Sequence, residues 1–368
     1  MKIRKFAIVG AIVLLIILAA CNNSNTNGTE QTEKASPTDQ VSENQDEVKS
    51  TYLFTANEGG SISKIDVENN EVMDTFEVEG AVHNVQISPD GKVLAATVVP
   101  EMKEEGAAHD DGEADDDGHG MAMNGNAQFF DVTTGTLIKS VEVGNHPAHV
   151  VYTNDGKYAL VTNNEDNNVS IIDIKDYKVI ETVETGNGPH GFRISADDKF
   201  AYIANMGEDT VSVIDIIAME ESKRIKVGAA PVTTGITKDG KTLVVTLNSE
   251  NVVAIVDLET DQVEKIEVGI GPAQVYVQSD DRYAFVANQG TVENPSRTIT
   301  KVDLIERKAI ATIETGDGAH GLITSPDSKK LFVTNMFEDT LSIIDNETNQ
   351  VISTISTGKT PNGVTITP

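Results

Sequence analysis

The sequence contains no tryptophan and a single cysteine, and aromatic residues make up only 5% of its 368 positions. A lone cysteine, Cys21, cannot close an intramolecular disulfide, so no covalent staple holds the fold. Basic residues are scarce: 28 lysines and arginines face 58 aspartates and glutamates, a net charge of −30. A polyanion would be repelled on approach, which excludes nucleic acid as a partner. Catalytic signatures are missing too. There is no Cys-x-x-Cys-His, no phosphate-binding loop and no serine nucleophile elbow. On that ground the chain is expected not to be an enzyme.

The N-terminus is set apart by composition. Lys2, Arg4 and Lys5 precede an apolar run from Phe6 to Ala20 that is short for a bilayer span. The run ends in Leu18-Ala19-Ala20-Cys21, which resembles the bacterial lipobox. The resemblance implies that residues 1–21 are a lipoprotein signal, that Cys21 is lipidated, and that the chain is held by membrane lipid outside the cytoplasmic membrane of a bacterial envelope. Residues 22–50 are polar, with almost nothing to bury, and are expected to be a disordered linker.

From residue 51 to 368 the chain repeats. An aspartate closes a short alternating apolar strand at Asp66, Asp131, Asp173, Asp215, Asp257, Asp303 and Asp345, with gaps of 65, 42, 42, 42, 46 and 42 residues. Each unit reads as four short strands, as in Phe192-Arg193-Ile194-Ser195, Phe200 to Asn205, Thr210 to Asp215 and Lys223 to Val227. Tight turns such as Ser88-Pro89-Asp90-Gly91 separate the first two strands. Four strands in about 42 residues predict a β-propeller. The first unit lacks its first strand, and the chain ends on one, Gly363-Val364-Thr365-Ile366. The expected fold is therefore all-β, a seven-bladed propeller of four antiparallel strands per blade, closed by pairing both ends of the chain, and a monomer.

The absence of tryptophan argues against the WD40 class. The stretches Ile87-Ser88-Pro89-Asp90-Gly91, Leu160-Val161-Thr162-Asn163, Phe332-Val333-Thr334-Asn335 and Val211-Ser212-Val213-Ile214-Asp215 instead resemble the YVTN family of bacterial propellers.

A loop enters each first strand through a recurring stretch, most fully Gly188-Pro189-His190-Gly191. Histidine stands at or beside this entry in four copies: His83, His149, His190 and His320. Strand alternation puts every entry at one mouth of the central channel. His190 is expected to form one wall of a site there, with His83 and His320 as companions; His149 is one position out of register. A plainer reading of any one entry histidine is a bond to a neighbouring blade's backbone. The 23-residue excess in the first gap falls between Val93–Val98 and Gln128–Val132, on the same face. This insertion, about 101–126, holds His109, Asp110, Asp111, His119, Met121 and Met123, with nine acidic residues against one lysine. Neutral imidazoles on a rigid frame suit zinc or copper, and thioethers favour copper. A solvated acidic loop is the plainer reading of the insertion.

The export signal, blade pattern and His/Asp-rich segment together are similar to bacterial extracytoplasmic zinc metallochaperone propellers. That resemblance implies zinc as cargo and a metal transporter's binding protein as partner. The insertion departs from it in having only two histidines, many carboxylates and a methionine pair. Two other readings stand beside metal carriage: an envelope interaction scaffold or adhesin, and a metal-dependent lactonase-type hydrolase.

Overall fold

The computed structural model describes residues 51–100 and 124–368. Within them the chain forms seven four-stranded antiparallel sheets, the expected seven-bladed propeller. Blade 1 joins the two ends of the sequence in the order Pro361–Ile366, Tyr52–Asn57, Ser61–Asp66, Glu71–Glu77. Blades 2 to 7 then run along the chain as Ala81–Asn145, Pro147–Glu184, Pro189–Lys226, Pro231–Glu267, Pro272–Glu314 and Ala319–Ser356. In blade 2 the third strand begins at Asn124, before the alternation at Gln128 predicts.

Burial follows position in the blade. Second and third strands are covered on both faces, as in Phe200–Asn205 and Thr210–Asp215. They are apolar and β-branched because both faces meet another blade. Outer strands keep an inward anchor, such as Phe76 in Glu71–Glu77 or Ile225 in Glu220–Lys226, and elsewhere mix charged and polar residues with exposed apolar ones such as Val72, Met73 and Ile352. Charge on these exposed edges blocks pairing with other chains.

No blade has a core of its own. Leu160, Val169 and Ile171 of blade 3 pack on Phe192 and Ile203 of blade 4, and Phe285 of blade 6 packs on Leu331 and Val333 of blade 7. Each such side chain, once fully buried, contributes about 1.5–3 kcal/mol.

The turns are held as their composition predicts. Ser88, Ser195 and Ser325 hydroxyls donate to Asp90, Asp197 and Asp327 at 2.6, 2.7 and 2.7 Å. The recurring blade aspartates accept backbone N–H groups two or three residues on, as Asp345 does from Glu347 and Thr348 at 3.1 and 2.8 Å. They are turn formers rather than ligands.

The ends meet through Leu53 opposite Ile366 and Phe54 opposite Thr365. Tyr52 N–H donates to Thr367 Oγ1, and Thr367 N–H to the Tyr52 carbonyl, both at 2.9 Å. Ending the chain at residue 360 strips the inner strand from blade 1 and leaves Tyr52–Asn57 an unpaired edge. The shortened protein is expected to lose its cooperative thermal transition in circular dichroism. An unchanged melting temperature would refute the dependence on closure.

Candidate metal centre

The entry strands of neighbouring blades are locked together by threonine. Thr97, Thr162, Thr246 and Thr334, on second strands, each donate through Oγ1 at 2.8 Å to a carbonyl on the next blade's entry: Ala148, His190, Ala273 and Asn362 respectively. The first, second and fourth of these lie beside positions that concern the histidines. In Thr162 and Thr334 the hydroxyl is that of the recurring Val-Thr-Asn triplet. The motif thus fixes where the adjacent blade's entry sits around the channel.

Three of the four entry histidines come together. One ring nitrogen from each of His83, His149 and His190 lies within 4.8 Å of the others. Ring centroids are 5.3 Å apart for His83 and His190, 5.1 Å for His149 and His190, and 6.0 Å for His83 and His149. The trio comes from blades 2, 3 and 4.

Hydrogen bonds set the tautomers of two rings. His83 Nδ1 lies 2.9 Å from Glu58 Oε1, and His190 Nδ1 lies 3.2 Å from the Val232 carbonyl in blade 5. A carboxylate and a carbonyl can only accept, so both Nδ1 atoms carry a proton, and in the neutral tautomers both Nε2 atoms carry a lone pair. Those two Nε2 atoms face each other at 3.3 Å. Two lone pairs cannot bond to one another. Two imidazole nitrogens each about 2.0–2.1 Å from a tetrahedral zinc ion lie about 3.3 Å apart. His149, only 1% exposed, has no hydrogen-bond partner among the described residues on either ring nitrogen. Its backbone N–H donates to Thr162 Oγ1 at 3.0 Å, which anchors its strand beside the pair. A buried imidazole with both nitrogens idle is costly, and buried polar atoms are almost always satisfied.

The electrostatics keep His149 and His190 neutral. Burial pushes the His149 pKa well below its usual value, and the charges of His190, His83 and Arg193 act in the same direction. Burial, then His83 and His320, lower His190 to about 3 against a small opposing effect of the Val232 bond. Glu58 is driven up by burial, but the hydrogen bond and charge of His83 and the bond from Asn362 outweigh this and lower it overall. Asn362 Nδ2 donates to Glu58 Oε1 at 2.7 Å, so the carboxylate is held from both sides.

His320 is buried in blade 7 but does not join the trio. Its Nδ1 lies 3.4 Å from Gln274 Nε2. Burial, then the charge of His83, lower it to about 4, opposed by Glu58 and a bond to the Asn362 backbone. His149 joins the cluster despite its one-residue offset; it lies in the irregularity between Pro147 and Val150 that recurs at the entries holding His190 and His320. His146 stands at the rim, with its Nδ1 3.6 Å from Glu165 Oε1 and its ring 6.3 Å from that of His83. Met206 is exposed, and Met336 Sδ accepts from Gln289 Nε2 at 3.1 Å. Cys21, His109, Asp110, Asp111, His119, Met121 and Met123 lie outside the described residues.

Sequence reasoning passed over Glu58 and Asn362. Glu58 follows Asn57 in the loop joining second to third strand, the place where Met206 and Met336 follow Asn205 and Asn335. That loop opens on the histidine face, so an acid there was a visible signal. Asn362 stands in blade 1 where His190 and His320 stand in blades 4 and 7.

Over residues 121–282 the sequence matches a family described as YNCE-like β-propeller, and over 243–365 one described as cytochrome D1 heme domain. No curated protein matches it significantly. Among solved structures, Kuenenia stuttgartiensis hydrazine synthase is similar at 21% identity over 77% of this chain and 89% of that one, TM-score 0.64. A functionally unknown protein from Desulfotomaculum acetoxidans is similar at 13% identity, over 86% and 98%, TM-score 0.70. The Pseudomonas aeruginosa periplasmic gluconolactonase is similar at 18% identity, over 87% and 99%, TM-score 0.67. At these identities the likeness is one of fold. It nevertheless corrects the expectation that the chain is not an enzyme, because two of these propellers are named for reactions. The expectation rested on missing local motifs, and a channel mouth assembles its chemistry from single residues on separate blades.

The depressed histidines fix a pH dependence. Their folded pKa values lie below the unfolded value of about 6.5, so the unfolded chain binds more protons in between. Stability of the metal-free protein is therefore full above about pH 6.5 and falls as pH drops toward about 4 for His320 and about 3 for His190. Urea midpoints at pH 7.5, 6 and 5 should decline in that order. His149→Leu removes a buried ring with no partner and should flatten the decline. It should also raise metal-free stability by about 1–3 kcal/mol. A lower midpoint for this variant at pH 7.5 would count against an idle imidazole.

Proposed function

We propose that this chain binds one transition metal ion, zinc or copper, through His83, His149 and His190 at the mouth of its propeller channel. The observation that carries this reading is the convergence of three imidazoles, with His83 Nε2 and His190 Nε2 3.3 Å apart beside a His149 whose nitrogens have no partner among the described residues. A shared cation resolves both problems. Glu58 acts on His83 as a carboxylate–histidine pair does in metal sites, orienting the ring and raising its basicity. The Val232 carbonyl does the same for His190. The three histidines lie outside the span matched to the heme domain, which favours an ion over a macrocycle here.

The setting we infer is the bacterial envelope, with the protein anchored by lipid on Cys21. The order of basic residues, apolar run, small residues and cysteine supports it. The acidic insertion of 101–126 would gather cations near the mouth, since both of its flanks leave strands of blade 2 on the histidine face. In such a setting the ion is cargo, handed on to a partner such as the binding protein of a transporter.

A second reading is favoured by the gluconolactonase among the similar folds. Three protein ligands leave a fourth position for water or substrate, the arrangement of catalytic zinc sites. An ion there would supply Lewis acidity for opening a lactone ring. Glu58 would hold the His83 ring in place during such a reaction.

Titration of the metal-free protein with Zn²⁺, Cu²⁺ and Co²⁺ should give one tight site. Alanine at His83, His149 or His190 should weaken it at least about 100-fold, and Glu58→Gln by about 10–100-fold. Unchanged affinity in the three histidine variants would end the metal reading. His320→Ala should leave the affinity nearly intact. Transfer of the ion to an acceptor protein supports the carrier role, and metal-dependent lactone opening supports the hydrolase.

A further inference from the structure

At the end of the channel opposite the histidines, between the tight turns that follow the inner strands, lies a cavity of about 450 Å³. Its size falls within the roughly 300–1,000 Å³ of small-molecule pockets. The side chains around it are mostly amides and hydroxyls, including Gln86, Gln274, Tyr276, Thr324 and Thr365. No aspartate or glutamate side chain lines it, although the chain carries 58 of them. The single charged side chain in the lining is Arg193.

Arg193 is unlike the other arginines of the described residues. Arg224 pairs with Glu221, Arg282 with Asp303, Arg297 with Asp317 and Arg307 with Glu264. Among the described residues Arg193 pairs with no aspartate or glutamate; its one hydrogen bond there runs from Nη1 to the Phe192 carbonyl at 2.8 Å. A guanidinium removed from bulk water without a counter-charge costs several kcal/mol in the general case. The next blade keeps room beside it. Gly235 occupies there the place that Arg193 occupies in blade 4, and a second hollow of about 210 Å³ opens between the two. Gln86 has its carbonyl committed to the Tyr152 N–H at 2.7 Å, which leaves its NH₂ to donate into the cavity.

We propose that Arg193 anchors a second ligand site, separate from the histidines, for the carboxylate or phosphate group of a small hydroxylated molecule. The planar fork of the guanidinium takes two oxygens of such a group at once. The amide and hydroxyl lining suits a sugar acid or sugar phosphate, whose hydroxyls both donate and accept.

Calorimetric titration of the full-length, metal-free protein with inorganic phosphate, glucuronate, glucose 6-phosphate and glucose tests this. At least one anion should bind one to one with a Kd of about 1 mM or tighter, and glucose should not. Binding of glucuronate without phosphate assigns a carboxylate ligand, and the reverse assigns a phosphate. Arg193→Gln should weaken the anion at least about tenfold, with Arg193→Lys between it and the parent. Without anion, Arg193→Gln should melt no lower than the parent, because it removes an unpaired charge. The proposal fails if none of the three anions binds at about 10 mM, if Arg193→Gln binds as tightly as the parent, or if that variant melts well below it.

Discussion

Blade-to-blade packing is the constraint from which the rest of the structure follows. Each apolar cluster is shared between neighbours, so a blade with one face uncovered has no complete core. The arrangement is stable only as a closed ring, and the ring closes where Pro361–Ile366 pairs with Tyr52–Asn57. The alternation, the charged outer strands and the absence of disulfides all suit a molecule stabilised by circular burial instead of local staples.

The same geometry determines how chemistry arises. A propeller offers each blade's inner strand one entry residue at the mouth and several wall positions below it. Blades 2, 3 and 4 place imidazoles at the mouth, and blade 4 alone places a guanidinium in the wall. The threonine bonds between adjacent entries make these positions rigid relative to one another. Function at such a site is a property of the ring, with no contiguous segment that encodes it.

Much of this was legible in the sequence. The 42-residue recurrence and the split blade carry the fold, because strand period and turn chemistry are local. The histidine entries point to one mouth for the same reason. Which histidines meet was not legible. His320 sits at the same repeat position as His83 and His190, yet its blade turns it toward Gln274. His149 is off register, yet it meets the pair. Azimuth around the ring decides contact, and it leaves no mark in spacing. Arg193 read as an ordinary strand residue because its meaning lies in the carboxylate it lacks.

The support of His83 joins the two extremes of the folded domain. Glu58 comes from its beginning and Asn362 from its end, 304 positions apart, and both meet at one carboxylate oxygen. During synthesis His83, His149 and His190 are all made long before Asn362. Their bonding environment is complete only once the final inner strand has docked. The frame around His83, and with it the ion site we propose, is thereby finished only when the ring itself is closed.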